Sequence, residues 1–331
     1  MLTLVTGATG LVGNNVVRLL LERGMAVRVL ARETSDERPL SGLDVEVVSG
    51  DVRDEGAVRR AVAGVQRVVH AAAVVQLGWS NLELQREINV AGTRRVAIAA
   101  REAGATLVHV SSSDACGLAR GDILADEETK VDGGVRTSYV ITKREAEQAV
   151  QAEVARGLQA TIVNPAFMLG PWDWKPSSGQ MLVAVAKGQG LLAPRGDFSI
   201  SDVRDVAAAI LSALGRGGPS GRRYLLAGHN LSYLEAWRQF AEGAGVRRPL
   251  GPLPPVFAFF AGRGGDLWGR ISRREPNVNS GALAMARLPK RYSIARAEAE
   301  LGYRIRPLRD TVSDALDWFR KYGYLKPQTR P

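Results

Sequence analysis

The chain has 331 residues, with 44 Lys and Arg against 34 Asp and Glu, for a formal net charge of +10. That length can bury a sizeable core as one large domain or two unequal lobes, and no run of about 18 uncharged apolar residues is present to span a bilayer. The excess charge is dispersed arginine in short pairs (Arg222 with Arg223, Arg247 with Arg248, Arg273 with Arg274), without a like-charge run or an interleaved aromatic stripe, so a solvated surface is expected and nucleic-acid binding is not.

The opening MLTLVTGATG carries no charged leader and no small-residue cleavage site, and the single Cys116 excludes an internal disulfide. A cytoplasmic protein is expected. Short valine- and leucine-rich segments follow in order: LTLVT (2–6), AVRVLA (26–31), VEVVSG (45–50), RVVHAA (67–72) and TLVHVS (106–111). They read as buried parallel strands. Between them NNVVRLLLERG, DEGAVRRAVAG and NVAGTRRVAIAAREAG have helical spacing, and each ends in a glycine suited to a C-cap. A long helix begins near Ser138, and ATIVNP (160–165) forms a further strand. Strand and helix alternating with short loops predict a doubly wound parallel α/β sheet.

After Pro165 the texture changes. LGPWDWKPSSGQ (169–180), GRGGPSG (215–221) and RRPLGPLPPV (247–256) are rich in Pro and Gly and read as loops of a smaller substrate-binding lobe. The expected organisation is a nucleotide-binding domain over 1–165 with a return of 198–228, and a substrate lobe over 166–197 and 229–331. VFAFFAG (256–262) is too short to span a membrane and reads as core or as a lid against a substrate; no membrane insertion is expected. Trp172, Trp174, Phe257, Phe259 and Phe260 are candidate pocket walls.

TGATGLVG sets Gly7, Gly10 and Gly13, with Thr9, Leu11 and Val12, between the first strand and the first helix. The first glycine permits a tight turn, the second a close backbone approach to a pyrophosphate, and the third helix-on-strand packing, with the helix N-terminus facing the negative charge. At the end of the second strand Arg32 suits a 2′-phosphate, so NADP(H) is the preferred cofactor, while Glu33 leaves NAD(H) open. Asp51 and Val52 are placed to hold the adenine, and the small Ala71, Ala72 and Ala73 leave the cofactor room.

SYVITK puts Tyr139 and Lys143 on one helix face. A free phenol titrates near about 10 and is a poor base at neutral pH. An ammonium about 4 Å away would favour the phenolate by roughly 4 kcal/mol before desolvation. The pair is therefore expected to do acid/base work, with Lys143 also holding the nicotinamide ribose. His70, His109 and His229 have no paired spacing, so no metal site is expected.

TGATGLVG, GDVRD, HAAA, the INVAGT segment with Asn89, SSS and YVITK stand in the order and approximate spacing of the extended short-chain dehydrogenase/reductases, and the resemblance covers essentially the whole chain. IVNPAFMLGP, FSISDVRDVAAA, GRRYLLAGHNLSY and AEAELGYRIRPLRDTVSDALDWF resemble the dihydroflavonol-4-reductase-like branch of the NAD-dependent epimerase/dehydratase proteins. The resemblance implies a Rossmann-type fold. It also implies that Ser113, as the third hydroxyl of the serine turn, aligns the substrate oxygen beside Tyr139, with Ser111 shaping the strand end over the cofactor. Asn164 and Pro165 are implied to contact cofactor or substrate, and helices of the nucleotide-binding half to pair two subunits as a homodimer. Asp114, Phe167, Trp172 and Phe198 are candidate substrate contacts.

Departures from the family patterns narrow the chemistry. Phe198 stands where nucleotide-sugar epimerases carry a phosphate-gripping arginine, with Arg195 upstream as a substitute. Ser112, Ser113 and Asp114 replace the TDE of sugar dehydratases, and Leu118 replaces the asparagine of the plant flavonoid reductases. The expected activity is NADPH-dependent reduction of a carbonyl on a mostly apolar small molecule through Ser113, Tyr139 and Lys143. An epimerase or dehydratase that retains NAD is the alternative, and a non-catalytic dinucleotide sensor the third reading.

Overall fold

The buried valines and leucines of the first half become one sheet with helices on both faces. In chain order the elements are β1 (Leu2–Thr6), α1 (Leu11–Glu22), β2 (Ala26–Ala31), β3 (Glu46–Ser49), α2 (Glu55–Val62), β4 (Arg67–His70), α3 (Leu82–Gln85), α4 (Gly92–Glu102), β5 (Thr106–Val110), α5 (Ser138–Val154) and β6 (Ala160–Pro165). A π-helical turn over Arg86–Ala91 joins α3 to α4. Then come β7 (Phe167–Leu169), α6 (Gly179–Ala186), β8 (Leu192–Ala193), β9 (Asp197–Asp202), α7 (Val203–Arg216), β10 (Arg222–Leu226), β11 (His229–Ser232), α8 (Tyr233–Ala244), β12 (Gly251–Pro252), α9 (Pro255–Ser272), α10 (Ser280–Ala286), α11 (Ala295–Leu301) and α12 (Leu308–Lys321). This computed structural model describes residues 1–131, 134–216, 218–272 and 275–327.

The main sheet has seven strands in the order β10-β6-β5-β4-β1-β2-β3, and every pair is parallel. It is a Rossmann-type doubly wound sheet, with its order reversing between β1 and β4. Ligands of such sheets bind at the carboxyl ends of the strands beside that reversal. The predicted strands 67–72 and 106–111 stop at His70 and Val110. The residues beyond them leave the sheet at its carboxyl edge and become site loops.

One face is covered by α1 and α7, where Val16, Val17 and Leu20 pack with Ile210 and Leu214. The other is covered by α2, α4 and α5, through Ala57, Val58, Val96, Ala100 and Val150. The closeness of α1 to β1 depends on Gly13, because a methyl there would lie 2.2 Å from the Gly7 carbonyl oxygen. Gly7 itself takes a φ of +71, a left-handed conformation that glycine adopts without cost.

The return to the main sheet begins at Val203, not at 198. β9 belongs to a separate three-stranded sheet, parallel to β7 and antiparallel to β11, so α7 and β10 rejoin the nucleotide-binding half, with α11 packed on them through Ala297 and Leu301. The lobe's core combines Leu182, Phe198, Tyr233, Phe240, Leu316 and Phe319. Trp172 and Trp174 join the aromatic core of the lobe. They pack against Trp318 and Tyr322, with Trp174 centred 4.5 Å from the Tyr322 ring. The Arg18 guanidinium of α1 lies 3.3 Å from the Trp172 ring centre, and Asn15 Nδ2 donates to the Pro171 carbonyl at 3.0 Å. This aromatic loop thereby ties the lobe to α1.

Gly13→Ala is expected to cost about 1–3 kcal/mol in urea unfolding, because backbone on both sides blocks the added methyl. At Gly10, where the nearest atom would be 3.4 Å away, alanine should cost less than about 1 kcal/mol. Equal losses at the two positions would contradict this packing.

Candidate active site

Thr137 caps α5 by accepting from the Val140 N–H at 3.4 Å, which puts Tyr139 in the first turn and Lys143 one turn later. Both side chains are buried against the end of β5. Ser111 closes that strand, donating its N–H to the Val163 carbonyl at 2.8 Å and its hydroxyl to Glu147. With both donors committed below the turn, Ser111 offers neither to a cofactor.

Ser111, Ser112 and Ser113 are all buried at the end of β5, and of their hydroxyls that of Ser112 acts on the Tyr139 phenol. Ser112 caps a 3₁₀ turn over Ser113–Ala115 and accepts from the Asp114 N–H at 3.2 Å. Ser113, one residue on, is rotated toward the lobe, where the Tyr292 hydroxyl meets its side chain and lies 3.4 Å from its carbonyl oxygen.

Burial raises the Tyr139 phenol above its usual value, the Asp114 carboxylate adds to the rise, and the Ser112 hydroxyl opposes it. Lys143 was expected to draw out the phenolate. Instead its Nζ donates to the Val110 carbonyl at 2.8 Å, and burial lowers it to about 8 against a partial restoring pull from Glu147. The phenol of the free protein is therefore a proton donor held in its neutral form.

Glu147, one further turn along α5, is a site residue that the sequence reading passed over, although the four-residue spacing of Tyr139 and Lys143 extends to it. It accepts from Ser111 and from Asn164 Nδ2, the latter at 2.6 Å, and lies 3.7 Å from Arg223. Asn164 is fully buried, and its amide nitrogen also donates to the Ser112 carbonyl at 3.0 Å. It supports the serine turn from below, leaving only its unpartnered Oδ1 for any other contact. Pro165 is buried as the last residue of β6, paired with Leu226.

The lobe adds groups with no motif to announce them. Lys290 pairs with Asp114 at 2.7 Å, and that carboxylate helps to raise the phenols of Tyr139, Tyr233 and Tyr292, each already raised by burial. Phe198 is buried face to face with Tyr233, their centroids 4.1 Å apart, and the half-buried Phe167 meets its edge at 5.2 Å. These two phenylalanines back the tyrosine wall. Arg195 is exposed and donates to the Leu253 carbonyl at 3.2 Å.

The candidate cofactor residues share the carboxyl edge of the sheet. The cap of α1, Gly10, has no side-chain partner for the first-turn N–H groups, and no acidic residue follows it in that turn. Gly10 is exposed, Thr9 and Val12 are half-buried, and Leu11 is buried. Ala71 donates its N–H to the Thr6 carbonyl at 3.2 Å and Ala72 to the Thr6 hydroxyl at 3.3 Å, while half-buried Ala73 precedes the segment clamped by Asn89. Asn89 bonds Val74 in both directions, at 2.8 and 3.0 Å, and reaches Thr142 at 3.2 Å.

Past β2, Arg32 is exposed and acts electrostatically on Asp51, whereas Glu33 accepts from Ser49 at 3.1 Å. Asp51 accepts from the Arg53 N–H at 2.9 Å and from its guanidinium, and buried Val52 packs on Gly92. An uncapped helix N-terminus beside an exposed glycine fits a dinucleotide pyrophosphate, and the lysine amine at the end of β5 fits a ribose hydroxyl.

His70 and His109 are adjacent across β4 and β5, with ring centroids 5.5 Å apart. Burial and the nearby Lys143 lower His70 to about 3 and His109 well below its usual value, so both are neutral. His229 bonds the Arg306 carbonyl at 2.9 Å, and no metal-ligating cluster occurs among the described residues. Beside the start of α5, where Ser138 donates to the Gly78 carbonyl at 3.1 Å, lies a cavity of about 910 Å³. Trp79, Ala258, Phe259 and Leu283 line it, with Arg263 and Arg287 among its cations.

Ser112→Ala should lower kcat by about 10²–10³, and Ser113→Ala only a few-fold, when the two are assayed side by side. The reverse order would favour Ser113. Lys143 carries a pH signature as well. Between its folded value of about 8 and its usual 10.5 the unfolded chain holds a proton that the folded chain has released, so this lysine makes the fold more stable as pH rises through that window. The stability of the wild type relative to Lys143→Met should therefore increase from about pH 8 to about pH 10 in urea unfolding; a decrease would contradict the burial of that charge.

Comparison with known proteins identifies the family. The NAD dependent epimerase/dehydratase family pattern matches residues 3–227. The chain is 36% identical to sterol demethylase protein B of Methylococcus capsulatus, over 98% of this chain and 100% of that protein. It is 32% identical to a putative dihydroflavonol 4-reductase of Synechocystis, over 98% and 96% of the two chains. The crystal structure of gox2253 superposes with a TM-score of 0.85 at 37% identity, covering 98% of this chain and 99% of that one. The chain belongs to the NAD dependent epimerase/dehydratase family, among its dihydroflavonol 4-reductase-like members.

Proposed function

We propose that the protein is an NADP(H)-dependent oxidoreductase that interconverts a ketone and a secondary alcohol on an apolar, sterol-like small molecule. The observation that carries this reading is the buried Tyr139 phenol, one turn before the buried Lys143 on α5 and kept protonated by its burial. A nicotinamide dinucleotide, when bound, supplies the hydride for carbonyl reduction or accepts it in the reverse direction. Ser112 holds the substrate oxygen, and Tyr139 gives its proton to that oxygen as negative charge develops there. Lys143, fixed on the Val110 carbonyl, orients the ribose side of the site. Arg32, exposed past β2, favours a 2′-phosphate.

The apolar substrate class is supported by the buried rings of Phe198, Tyr233 and Tyr292 and the half-buried Phe167 on the lobe side of the site. The Methylococcus relative is named for sterol demethylation, which fits the same class. A second reading draws on Arg263, Arg270 and Arg287, which line the cavity and would suit the diphosphate of a nucleotide sugar in an epimerase that retains NAD.

Denaturing the purified protein and measuring released dinucleotide distinguishes the two. The reductase reading expects an empty site that binds NADPH more tightly than NADH, and a preference reversed by Arg32→Asp. It also expects turnover of a sterol-type ketone that Tyr139→Phe lowers by at least about a thousandfold while leaving NADPH affinity nearly unchanged. Stoichiometric NAD that survives dialysis would favour the epimerase.

A further inference from the structure

We propose that α9 docks the protein on the surface of an anionic lipid bilayer. VFAFFAG was expected to be core or a lid, but the structure turns most of it outward. At about 100° per residue, Val256, Leu267, Phe260, Ile271, Gly264, Phe257, Trp268 and Ala261 form an uninterrupted apolar arc of about 140°. Every residue of that arc is exposed, including Phe257 at 62%, Phe260 at 67%, Trp268 at 62% and Ile271 at 69%.

The inner face of the helix is small. Ala258 and Gly262 are buried, and a methyl on Gly265 would lie 1.9 Å from the Val278 carbonyl oxygen. The helix therefore lies close against the segment leading into α10 and presents its bulk to solvent. A soluble helix normally does the opposite. An apolar face of this breadth is covered by a partner or a membrane.

Charge decides between occupants. Exposed Arg263 and Arg270 border the arc on one flank, and the sequence continues with Arg273 and Arg274 on a chain of net charge +10. A second copy laid against this face would bring like charges together, whereas anionic headgroups would neutralise them while Phe, Trp and Leu enter the acyl boundary. This is docking on the interface and not insertion across it, since no described helix is long and apolar enough to cross a membrane. The opposite side of α9, at Ala258 and Phe259, lines the 910 Å³ cavity. The inference extends the apolar-substrate reading above, because an apolar molecule would reach that cavity from the lipid phase.

Docking is measured without substrate, so its failure and that of the reductase reading are separable. Flotation with vesicles of phosphatidylcholine and phosphatidylglycerol in equal parts should carry the protein, and phosphatidylcholine alone should carry much less. Phe260→Glu combined with Trp268→Glu should weaken flotation about tenfold or more while leaving the melting temperature and cofactor binding unchanged. Flotation of the double variant equal to that of the wild type would overturn the proposal. So would a wild type that ignores both vesicles, including one that forms a dimer which the double variant dissociates.

Discussion

One buried carboxylate ties the site together. Glu147 receives Ser111 from the end of β5 and Asn164 from the end of β6, moderates Lys143 one turn earlier on its own helix, and faces Arg223 on β10. Three parallel strands and α5 are thus fixed relative to one another at the carboxyl edge of the sheet. Removal of any one of these partners would leave buried polar groups of the others uncompensated. The serine turn inherits its orientation from this network. Ser111 points down to Glu147, Asn164 holds the Ser112 carbonyl, and the Ser112 hydroxyl is left to meet Tyr139.

The nucleotide-binding half was legible because its signals are local. Runs such as LTLVT and TLVHV can only be buried strands, and the glycines of TGATGLVG stand where backbone crowding demands them. Tyr139 and Lys143 were found by helical spacing. The surroundings of the three serines were not legible, because the Ser113 carbonyl meets Tyr292, a residue 179 positions away. Phenolate formation was misjudged for a related reason. Spacing gives a shared helix face, but not the direction of an amine drawn to the Val110 carbonyl.

The second lobe was the less readable half. Tyr233 from α8, and Lys290 and Tyr292 from the segment between α10 and α11, converge on Asp114, and nothing in their local sequence distinguishes them. The packing of Trp172 on Arg18 and of Trp174 on Tyr322 was not legible, because composition does not show which distant elements two neighbouring aromatics join. α9 misled in the opposite direction. Apolar content suggested burial, whereas its buried positions are Ala258 and Gly262. The lobe thus separates two roles: aromatic rings around Trp318 fix it to α1, while α9 and α10 enclose the cavity beside the start of α5.

The central claim is that Tyr139 enters catalysis as a neutral phenol, with Ser112 to receive the substrate oxygen. Ultraviolet difference titration of the cofactor-free protein against Tyr139→Phe reads the ionisation of that phenol directly. The account predicts no tyrosinate signal from Tyr139 up to about pH 9, since burial and Asp114 both disfavour the anion. A tyrosinate that titrates below about pH 8 in the free protein would contradict it.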